Sequence, residues 1–274
     1  MNLITINTTT CNKCGICVKS CPISLISMSE ENGFPFVKAE NESRCISCGH
    51  CEAVCSESAL KHSSFENDSL FSNNQSLEFE AKDLGMYFRN RRSIRNYLPK
   101  SIDKAVLEQI MDIVRYAPTG TNRQFNRWII VSDKKVIEEL TKGTINWMQA
   151  LSRLNPEMAQ RLNAPALIAS FEKGQDLICR YAPHIVLCYT NANYTVGAKD
   201  ATIASAHLEL LLPSFGLGGC WAGYLMVALQ NSPELKKVIG LDDSSAVHSA
   251  LMVGYPKYKY YKIPNRNKTN VSWI

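Results

Sequence analysis

Several common sequence features are missing from this chain of 274 residues, and each absence excludes a class of protein. No stretch of about 18 or more apolar residues is present, so we expect no transmembrane helix and no membrane partner. The first residues lack the basic segment and the long apolar run of a signal peptide, so we expect a cytoplasmic protein. The GLGG stretch at 216–219 lacks the G-x-G-x-x-G spacing and follows an expected helix, which argues against a Rossmann dinucleotide site.

A strong charge of either sign is also missing, since the net charge is only +5. A nucleic-acid-binding protein needs a longer basic face with aromatic residues between the charges, so we expect no nucleic-acid partner. Much of the positive charge lies in two short clusters, which suit a small ligand that carries a phosphate. The clusters are Arg89, Arg91, Arg92 and Arg95, and Lys257, Lys259, Lys262, Arg266 and Lys268.

Cysteine, in contrast, is abundant, with eleven residues in the chain. Disulfides rarely persist in a reducing cytoplasm, so the spacing of the cysteines has to explain them. Eight cysteines lie within residues 1–62. The other three, Cys179, Cys188 and Cys220, have apolar neighbours, which indicates buried small side chains.

The composition divides the chain into three parts. Residues 1–62 are rich in cysteine, residues 63–82 are rich in Ser, Asn and acidic side chains, and residues 83–274 have an ordinary α/β composition. We therefore predict an N-terminal domain, a linker and a larger C-terminal domain with those bounds.

Apolar periodicity predicts several elements of the C-terminal domain. Helical spacing predicts helices at 102–114, 133–142 and 198–215. Short apolar runs predict buried strands at 128–131, 185–189 and 247–253. Ser101 is the expected N-cap of the first helix, with acidic Asp103 in its first turn. The segment 144–163 combines helical propensity with mixed polarity, which suits a mobile lid.

Two cysteine runs share the spacing C-x2-C-x2-C-x3-C, and a proline follows the first run. Three thiolates in one tight turn can bind one face of an iron–sulfur cubane, but the fourth ligand must come from elsewhere because the continuing chain cannot close the tetrahedron. Gly15 and Gly49 lie where a small residue lets backbone N–H groups approach the sulfurs. The runs are Cys11, Cys14, Cys17 and Cys21, and Cys45, Cys48, Cys51 and Cys55.

Over residues 3–62 this pattern resembles the bacterial ferredoxins that hold two [4Fe–4S] clusters. The resemblance implies a crossed assignment, in which each run supplies three ligands to one cluster and its last cysteine to the other. One cluster would be held by Cys11, Cys14, Cys17 and Cys55, and the other by Cys45, Cys48, Cys51 and Cys21. The alternative is a pair of zinc sites, since C-x2-C pairs also bind zinc. Ser56 stands where the pattern has a second proline.

Four later stretches, taken together and in this order, resemble the nitroreductase family of FMN enzymes. They are RNRRSIRNY at 89–97, APTGTNRQ at 117–124, GLGGCWAGY at 216–224 and GYPKYKYYKIPNR at 254–266. The resemblance begins at about residue 84 and continues to the C-terminus. It implies an α+β sandwich with a mixed sheet flanked by helices, in an intimate homodimer with FMN at the subunit interface. The expected fold class is therefore α+β, with a two-cluster ferredoxin-like domain in front of a dimeric nitroreductase-type sandwich.

The residues of these stretches suggest how FMN would bind. Arg91, Ser93 and Arg95 alternate, so an extended backbone places their side chains on one side, where two charges and a hydroxyl suit a phosphate and a ribityl chain. By resemblance, Arg91 and Ser93 face the phosphate and Arg95 reaches the N1–C2 edge of the flavin. Arg92 is expected to contribute mainly its backbone.

The resemblance also implies more distant FMN contacts. The 117–124 loop would reach the flavin of the partner subunit, and the loop at 221–223 would offer backbone N–H groups to flavin N5 and O4. The implied residues are Pro118, Thr119, Gly120 and Asn122, then Trp221, Ala222 and Gly223, and in the tail Lys262 and Arg266. Sites of this family lack an obligatory protein acid or base, so no catalytic side chain is named.

We therefore expect an FMN-dependent oxidoreductase that passes single electrons through two [4Fe–4S] clusters to FMN, which reduces a nitro compound, a quinone or an activated alkene. The expected donor is a one-electron carrier protein such as ferredoxin or flavodoxin, because NAD(P)H passes a hydride directly to a flavin and needs no cluster. Electron flow in the reverse direction would use the same groups. Two other functions stay open: a non-catalytic electron carrier or redox sensor, and another flavin chemistry of the superfamily, such as dehalogenation or oxidative flavin breakdown.

Overall fold

A computed structural model of the chain describes residues 2–65 and 79–274, which form two units. The first unit is the N-terminal segment together with Thr121–Arg123, and the second is the remainder from Phe79 onward. The predicted linker at 63–82 lies largely outside the described residues. Its described ends belong to the 3-10 turn Ser63–Phe65 and to a helix that begins at Ala81. The predicted domain bounds stay predictions.

Short strands and helices enclose the cysteine runs of the first unit. Strand β1 (Ile4–Ile6) pairs antiparallel with β4 (Leu60–His62), and β2 (Ile26–Met28) pairs antiparallel with β3 (Pro35–Val37). The helices are α1 (Ile16–Ser20), α2 (His50–Ala53) and the 3-10 helix Ala39–Arg44. The buried apolar cluster is small, which is typical of units that depend on a metal group for stability.

The second unit is built on a four-stranded sheet with the order β5-β6-β8-β7. Its strands are β5 (Arg127–Val131), β6 (His184–Asn191), β7 (Gly218–Trp221) and β8 (Ser245–Gly254). Its helices are α3 (Ala81–Asn90), α4 (Lys104–Val114), α5 (Lys134–Leu154), α6 (Pro156–Arg161), α7 (Ala164–Glu172), α8 (Gly197–Leu211), α9 (Gly223–Asn231) and α10 (Pro233–Val238). Among the described residues, no helix has the length and apolar character needed to cross a bilayer.

Helices cover both faces of this sheet. Val186 of β6 and Leu251 of β8 are buried in one cluster with residues of α4 and α8. Their neighbours Ile185 and Leu187 are buried in a second cluster with residues of α5 and α9. Because both faces are covered, the central strands are nearly continuous apolar runs, which made them predictable from the sequence.

The α+β class and the three predicted strands are confirmed, and each predicted strand lies within β5, β6 or β8. The short, glycine-containing β7 carries little strand signal and was not predicted. The expected mixed sheet is not found among the described residues, where all three pairings are antiparallel. Pairing direction follows from how the connecting helices return the chain, and an apolar run does not encode it.

Helix α4 begins at Lys104, with Asp103 and not Ser101 at its N-cap position. The Ser101 hydroxyl instead lies 3.3 Å from Nε2 of the buried His184. Two other boundaries also differ. The predicted helix at 133–142 continues to Leu154, so the expected mobile lid is wrong over its first part, where Met148 is fully buried. The helix predicted at 198–215 ends at residue 211 and continues as a 3-10 turn over 212–215.

Candidate functional site

Two cavities of the first unit are each lined by four cysteines, and each set combines residues from both runs. One set is Cys21, Cys45, Cys48 and Cys51, and the other is Cys11, Cys14, Cys17 and Cys55. These are the two sets that the crossed assignment implies. Within the part of the chain that the structure describes, no three His, Cys, Asp or Glu side chains lie close enough to hold a single metal ion. Four cysteines around one cavity are the set of ligands that a [4Fe–4S] cluster takes.

The local backbone explains why both runs present their sulfurs in the same way. Gly15 and Gly49 have φ values of 71° and 73°, a left-handed conformation that favours glycine, and α1 and α2 begin directly after them. After each run a backbone N–H donates to the sulfur of the last cysteine, which stabilises the thiolate form. The pairs are Leu25 with Cys21 at 3.2 Å and Ala59 with Cys55 at 3.3 Å.

A buried polar group beside Cys45 was not identified from the sequence. His62 is 2% exposed, and its Nε2 lies 3.4 Å from Cys45 Sγ. The backbone N–H of His62 donates to the Glu52 carboxylate at 2.8 Å, and Lys61 forms an ion pair with that carboxylate at 3.1 Å. Burial lowers the pKa of His62, and Glu52 opposes this shift. A position-by-position comparison of the two cysteine runs and the residues that follow them was the sequence signal that could have identified His62.

Burial also distinguishes the cysteines. It raises the pKa of the Cys51 thiol to about 11, and a bound metal ion would favour its thiolate form. Cys179, Cys188 and Cys220 are all buried in the second unit, as predicted. Burial raises the pKa of both Cys179 and Cys188 to about 12, which makes these thiols chemically inert.

The segment from Arg91 to Tyr97 runs beside β7. The Ile94 N–H donates to the Gly219 carbonyl at 2.9 Å, and Tyr97 forms a β-bridge with Pro256. The Ile94 side chain is buried, whereas its neighbours Ser93 and Arg95 are less buried.

The Arg92 side chain fits an anionic group. Its Nε and Nη2 are buried and have no hydrogen-bond partner among residues 2–65 and 79–274, while Nη1 donates to the carbonyl of Arg91. A buried donor without an acceptor costs about 1–3 kcal/mol, and a charged one costs more. A phosphate or a flavin carbonyl would satisfy these two donors. The sequence analysis expected mainly a backbone role for Arg92, whereas the structure shows that its guanidinium provides the unpaired donors.

A carboxylate on α8 joins two of the predicted FMN residues. Glu209 is 8% exposed, and it pairs with Arg91 Nη1 at 2.7 Å and accepts from Trp221 Nε1 at 3.1 Å. This contact holds part of the Arg91 guanidinium, so fewer of its N–H groups are left for a phosphate. Glu209 interrupts the apolar face of α8. A carboxylate in that position was the sequence signal that could have identified Glu209 as part of the site.

The turn from β7 into α9 offers backbone donors. The Ala222 N–H is already donated to the Ala250 carbonyl at 2.7 Å. Helix α9 begins at Gly223, and a Cβ added there would meet no atom of the described residues within 4 Å. The first N–H groups of a helix lack acceptors within the helix, so the amides of Gly223 and Tyr224 can donate to a ligand.

Hydrogen bonds hold several residues of the APTGTN stretch in place. Thr119 Oγ1 accepts from the Gln124 N–H at 3.0 Å, and the Gly120 N–H donates to the buried Asp200 at 3.0 Å. Asn122, within the first unit, donates from Nδ2 to the carbonyl oxygens of Ile46 and Ser47 at 3.1 and 2.8 Å.

Three other predicted residues are exposed. Pro118 lies at the start of the APTGTN loop, and Lys262 and Arg266 lie in the C-terminal segment outside the helices and strands. No hydrogen bond or ion pair within the described residues joins the side chain of Lys262 or Arg266 to residues 91–95.

Replacing Gly218 with alanine tests how the Arg91–Tyr97 segment is positioned. The added Cβ would lie 2.3 Å from Ile94 Cγ1 and 3.0 Å from Ile94 Cβ, so the segment would have to move away from β7. We expect a lower melting temperature from a loss of about 1–3 kcal/mol of stability, the usual cost of overpacking. Gly85→Ala is the control, because a Cβ there meets no atom in the described part of the chain within 4 Å and alanine favours the helix. An unchanged melting temperature for Gly218→Ala would contradict this packing.

Comparison with known proteins agrees with this division of the chain. Residues 88–255 match the family model of the nitroreductase family, and residues 10–60 match that of a 4Fe-4S dicluster domain. A relative from Archaeoglobus fulgidus, named as an NADH dehydrogenase/NAD(P)H nitroreductase, is 22% identical over 171 residues, which are 61% of this chain and 82% of that protein.

Two solved structures share the fold of the second unit. A nitroreductase with bound FMN from Bacteroides fragilis has a TM-score of 0.54 and 20% identity, covering 69% of this chain and 99% of that chain. An iodotyrosine deiodinase bound to FMN and 3-iodo-L-tyrosine has a TM-score of 0.52 and 20% identity, covering 69% of this chain and 98% of that chain. At this level of identity the likeness establishes the fold.

Proposed function

The chain belongs to the nitroreductase family, and on that premise we propose that it is an FMN-dependent oxidoreductase supplied with single electrons through two [4Fe–4S] clusters. The observation that carries the proposal is the pair of cavities in the first unit, each lined by four cysteines. An enzyme reduced directly by NAD(P)H has no need of such ligands, because a hydride carries two electrons together. FMN, when bound, supplies the exchange between one-electron and two-electron chemistry.

The residues of the second unit support an FMN site beside β7. The unpaired N–H groups of Arg92 would bind the phosphate or a ring carbonyl, with Ser93 beside them. The first amides of α9 would face the ring, where the helix dipole would stabilise a developing negative charge. Arg95 is exposed at the same segment and would hold the N1–C2 edge. The remaining predicted contacts, from the APTGTN loop and the tail, belong to the same proposal.

The partners proposed for this site follow from its chemistry. FMN sites of nitroreductase-type sandwiches lie between subunits, so we propose a homodimer. A ferredoxin or flavodoxin would deliver electrons to the first unit in the cytoplasm, and a nitro compound, a quinone or an activated alkene would accept them.

Dehalogenation is the second candidate function. It is supported by the iodotyrosine deiodinase, whose fold resembles that of the second unit. Turnover with a panel of acceptors that includes an iodinated aromatic compound separates the two reactions. Failure of every acceptor would favour an electron carrier or a redox sensor.

The electron route is tested by rapid-mixing kinetics of the purified dimer. We expect reduced ferredoxin to reduce FMN faster than NADH or NADPH does, and we expect Cys48→Ala to abolish this fast phase while FMN stays bound. Cys48 lines one cysteine cavity, so its loss should remove a cluster. Cys188→Ala is the matched control, because Cys188 is buried in the second unit and should leave the fast phase intact.

A different result would refute the proposed route. If NADH or NADPH reduces FMN fastest, and if substrate turnover with them is the same in Cys48→Ala and in the native protein, the clusters do not supply the flavin.

A further inference from the structure

The two cysteine runs form an internal repeat in which residue i of the first run corresponds to residue i+34 of the second. The backbone follows this repeat closely. Ser24 and Ser58 are equivalent and have left-handed φ values of 51° and 50°. Lys13 and Ser47 are also equivalent, with φ values of 58° and 47°. The two cysteine sets therefore lie in similar backbone frameworks, and differences between them come from the side chains.

One such difference lies at the last residue of β2 and of β4. The first copy has Met28 there, and the second has His62. A thioether has no hydrogen to donate, whereas an imidazole has one or two. His62 is 2% exposed, and its Nε2 lies 3.4 Å from Cys45 Sγ.

The hydrogen bonds of His62 identify its tautomer. The Ser64 N–H donates to Nδ1 at 3.1 Å, so Nδ1 must be unprotonated and the ring hydrogen must lie on Nε2. Nε2 faces Cys45, and the N–H therefore donates to the sulfur. The ring is held in this position by the Glu52 carboxylate, which binds the backbone N–H of His62 at 2.8 Å, and by the Phe65 ring, whose centroid lies 5.3 Å away.

We propose that His62 is a positioning residue that donates a hydrogen bond to the Cys45 thiolate and raises the reduction potential of the cluster held by Cys45, Cys48, Cys51 and Cys21 above that of the other cluster. This inference rests on the proposed pair of [4Fe–4S] clusters. Reduction adds one electron and increases the negative charge on the sulfurs, so a fixed donor stabilises the reduced form more than the oxidised form. No bond is formed or broken in this step.

The consequence is a difference between two otherwise similar clusters. An electron delivered by a one-electron carrier protein would reside preferentially on the Cys45 cluster. The asymmetry would give electron transfer within the first unit a direction.

The test is a potentiometric titration of the complete protein, followed by electron spin resonance. We expect His62→Met, which copies the residue of the other repeat, to lower one of the two potentials by about 59 mV, a tenfold change for a one-electron couple. The second potential should not move. His62→Gln keeps an N–H donor and should recover most of the native value. His50→Met is the control, because His50 directly precedes the ligand Cys51 in the sequence but is exposed.

A second measurement needs no variant that might lose its cluster. Native protein labelled with ¹⁵N-histidine should show a nitrogen coupling in the pulsed spin-resonance spectrum of the reduced state. His50→Met should retain this coupling. Its absence from the native protein would overturn the inference.

The inference would also be overturned if His62→Met keeps about eight irons per chain and both native reduction potentials. A native protein that never holds two clusters would overturn the proposed function as well, and iron analysis distinguishes that case.

Discussion

Replacing Cys21 with alanine should remove one cluster completely and leave the other bound, so that iron falls from about eight to about four atoms per chain. Cys21 belongs to the first cysteine run, but it lines the cavity of Cys45, Cys48 and Cys51. A [4Fe–4S] cluster needs four thiolates, and among the described residues no fifth cysteine lines that cavity to replace the lost one. The measurement is iron and acid-labile sulfide after anaerobic purification.

Double variants show which cluster is lost. Cys21→Ala combined with Cys48→Ala should cost no more iron than either change alone, because both residues line one cavity. Cys21→Ala combined with Cys14→Ala should remove both clusters, since Cys14 lines the other cavity. The reverse pattern would show that each run holds its own cluster. Stoichiometric zinc in place of iron would reject the clusters altogether.

Replacing Arg92 with alanine should weaken FMN binding by about tenfold to a hundredfold or more. The reason is that Arg92 Nε and Nη2 are buried donors that no described residue satisfies, and a charged hydrogen bond contributes about 1.5–3 kcal/mol. Arg89→Ala is the matched control, because it removes the same charge from an exposed position on α3 and should have little effect. Equilibrium binding followed by flavin fluorescence gives both affinities.

Riboflavin distinguishes the group that Arg92 binds. If the side chain binds the phosphate, Arg92→Ala should weaken FMN binding but leave riboflavin binding unchanged, since riboflavin has no phosphate. If both ligands weaken equally, Arg92 binds the ring or the ribityl chain. Native FMN affinity in Arg92→Ala would contradict an FMN contact by this side chain.

Arg91→Ala gives a second, different expectation. It should lower FMN affinity by roughly tenfold, the effect of one charge-assisted contact. It also removes the ion-pair partner of Glu209, which is buried, so the protein should lose stability as well. A fall in the melting temperature of the FMN-free protein is therefore expected for Arg91→Ala and distinguishes it from Arg92→Ala.

The sequence by itself determined the cysteine runs, the α+β class and the central strands. Metal ligands in one turn have a fixed local spacing, so Cys11 to Cys21 and Cys45 to Cys55 are readable without any structure. Strands such as β6 and β8 are covered on both faces, and their continuous apolar character follows directly from that.

Only the tertiary structure decided which side chains complete each site. Arg91 meets Glu209, which is 118 residues away, Gly120 meets Asp200 across 80 residues, and His62 reaches Cys45 across 17. No periodicity or local propensity encodes such pairs, because they depend on how helices pack against a sheet and how a repeat folds back on itself. The direction of strand pairing and the existence of β7 depend on the same long-range packing. That packing also decides which groups surround Arg91 and Arg92, and therefore whether these side chains can bind an anion.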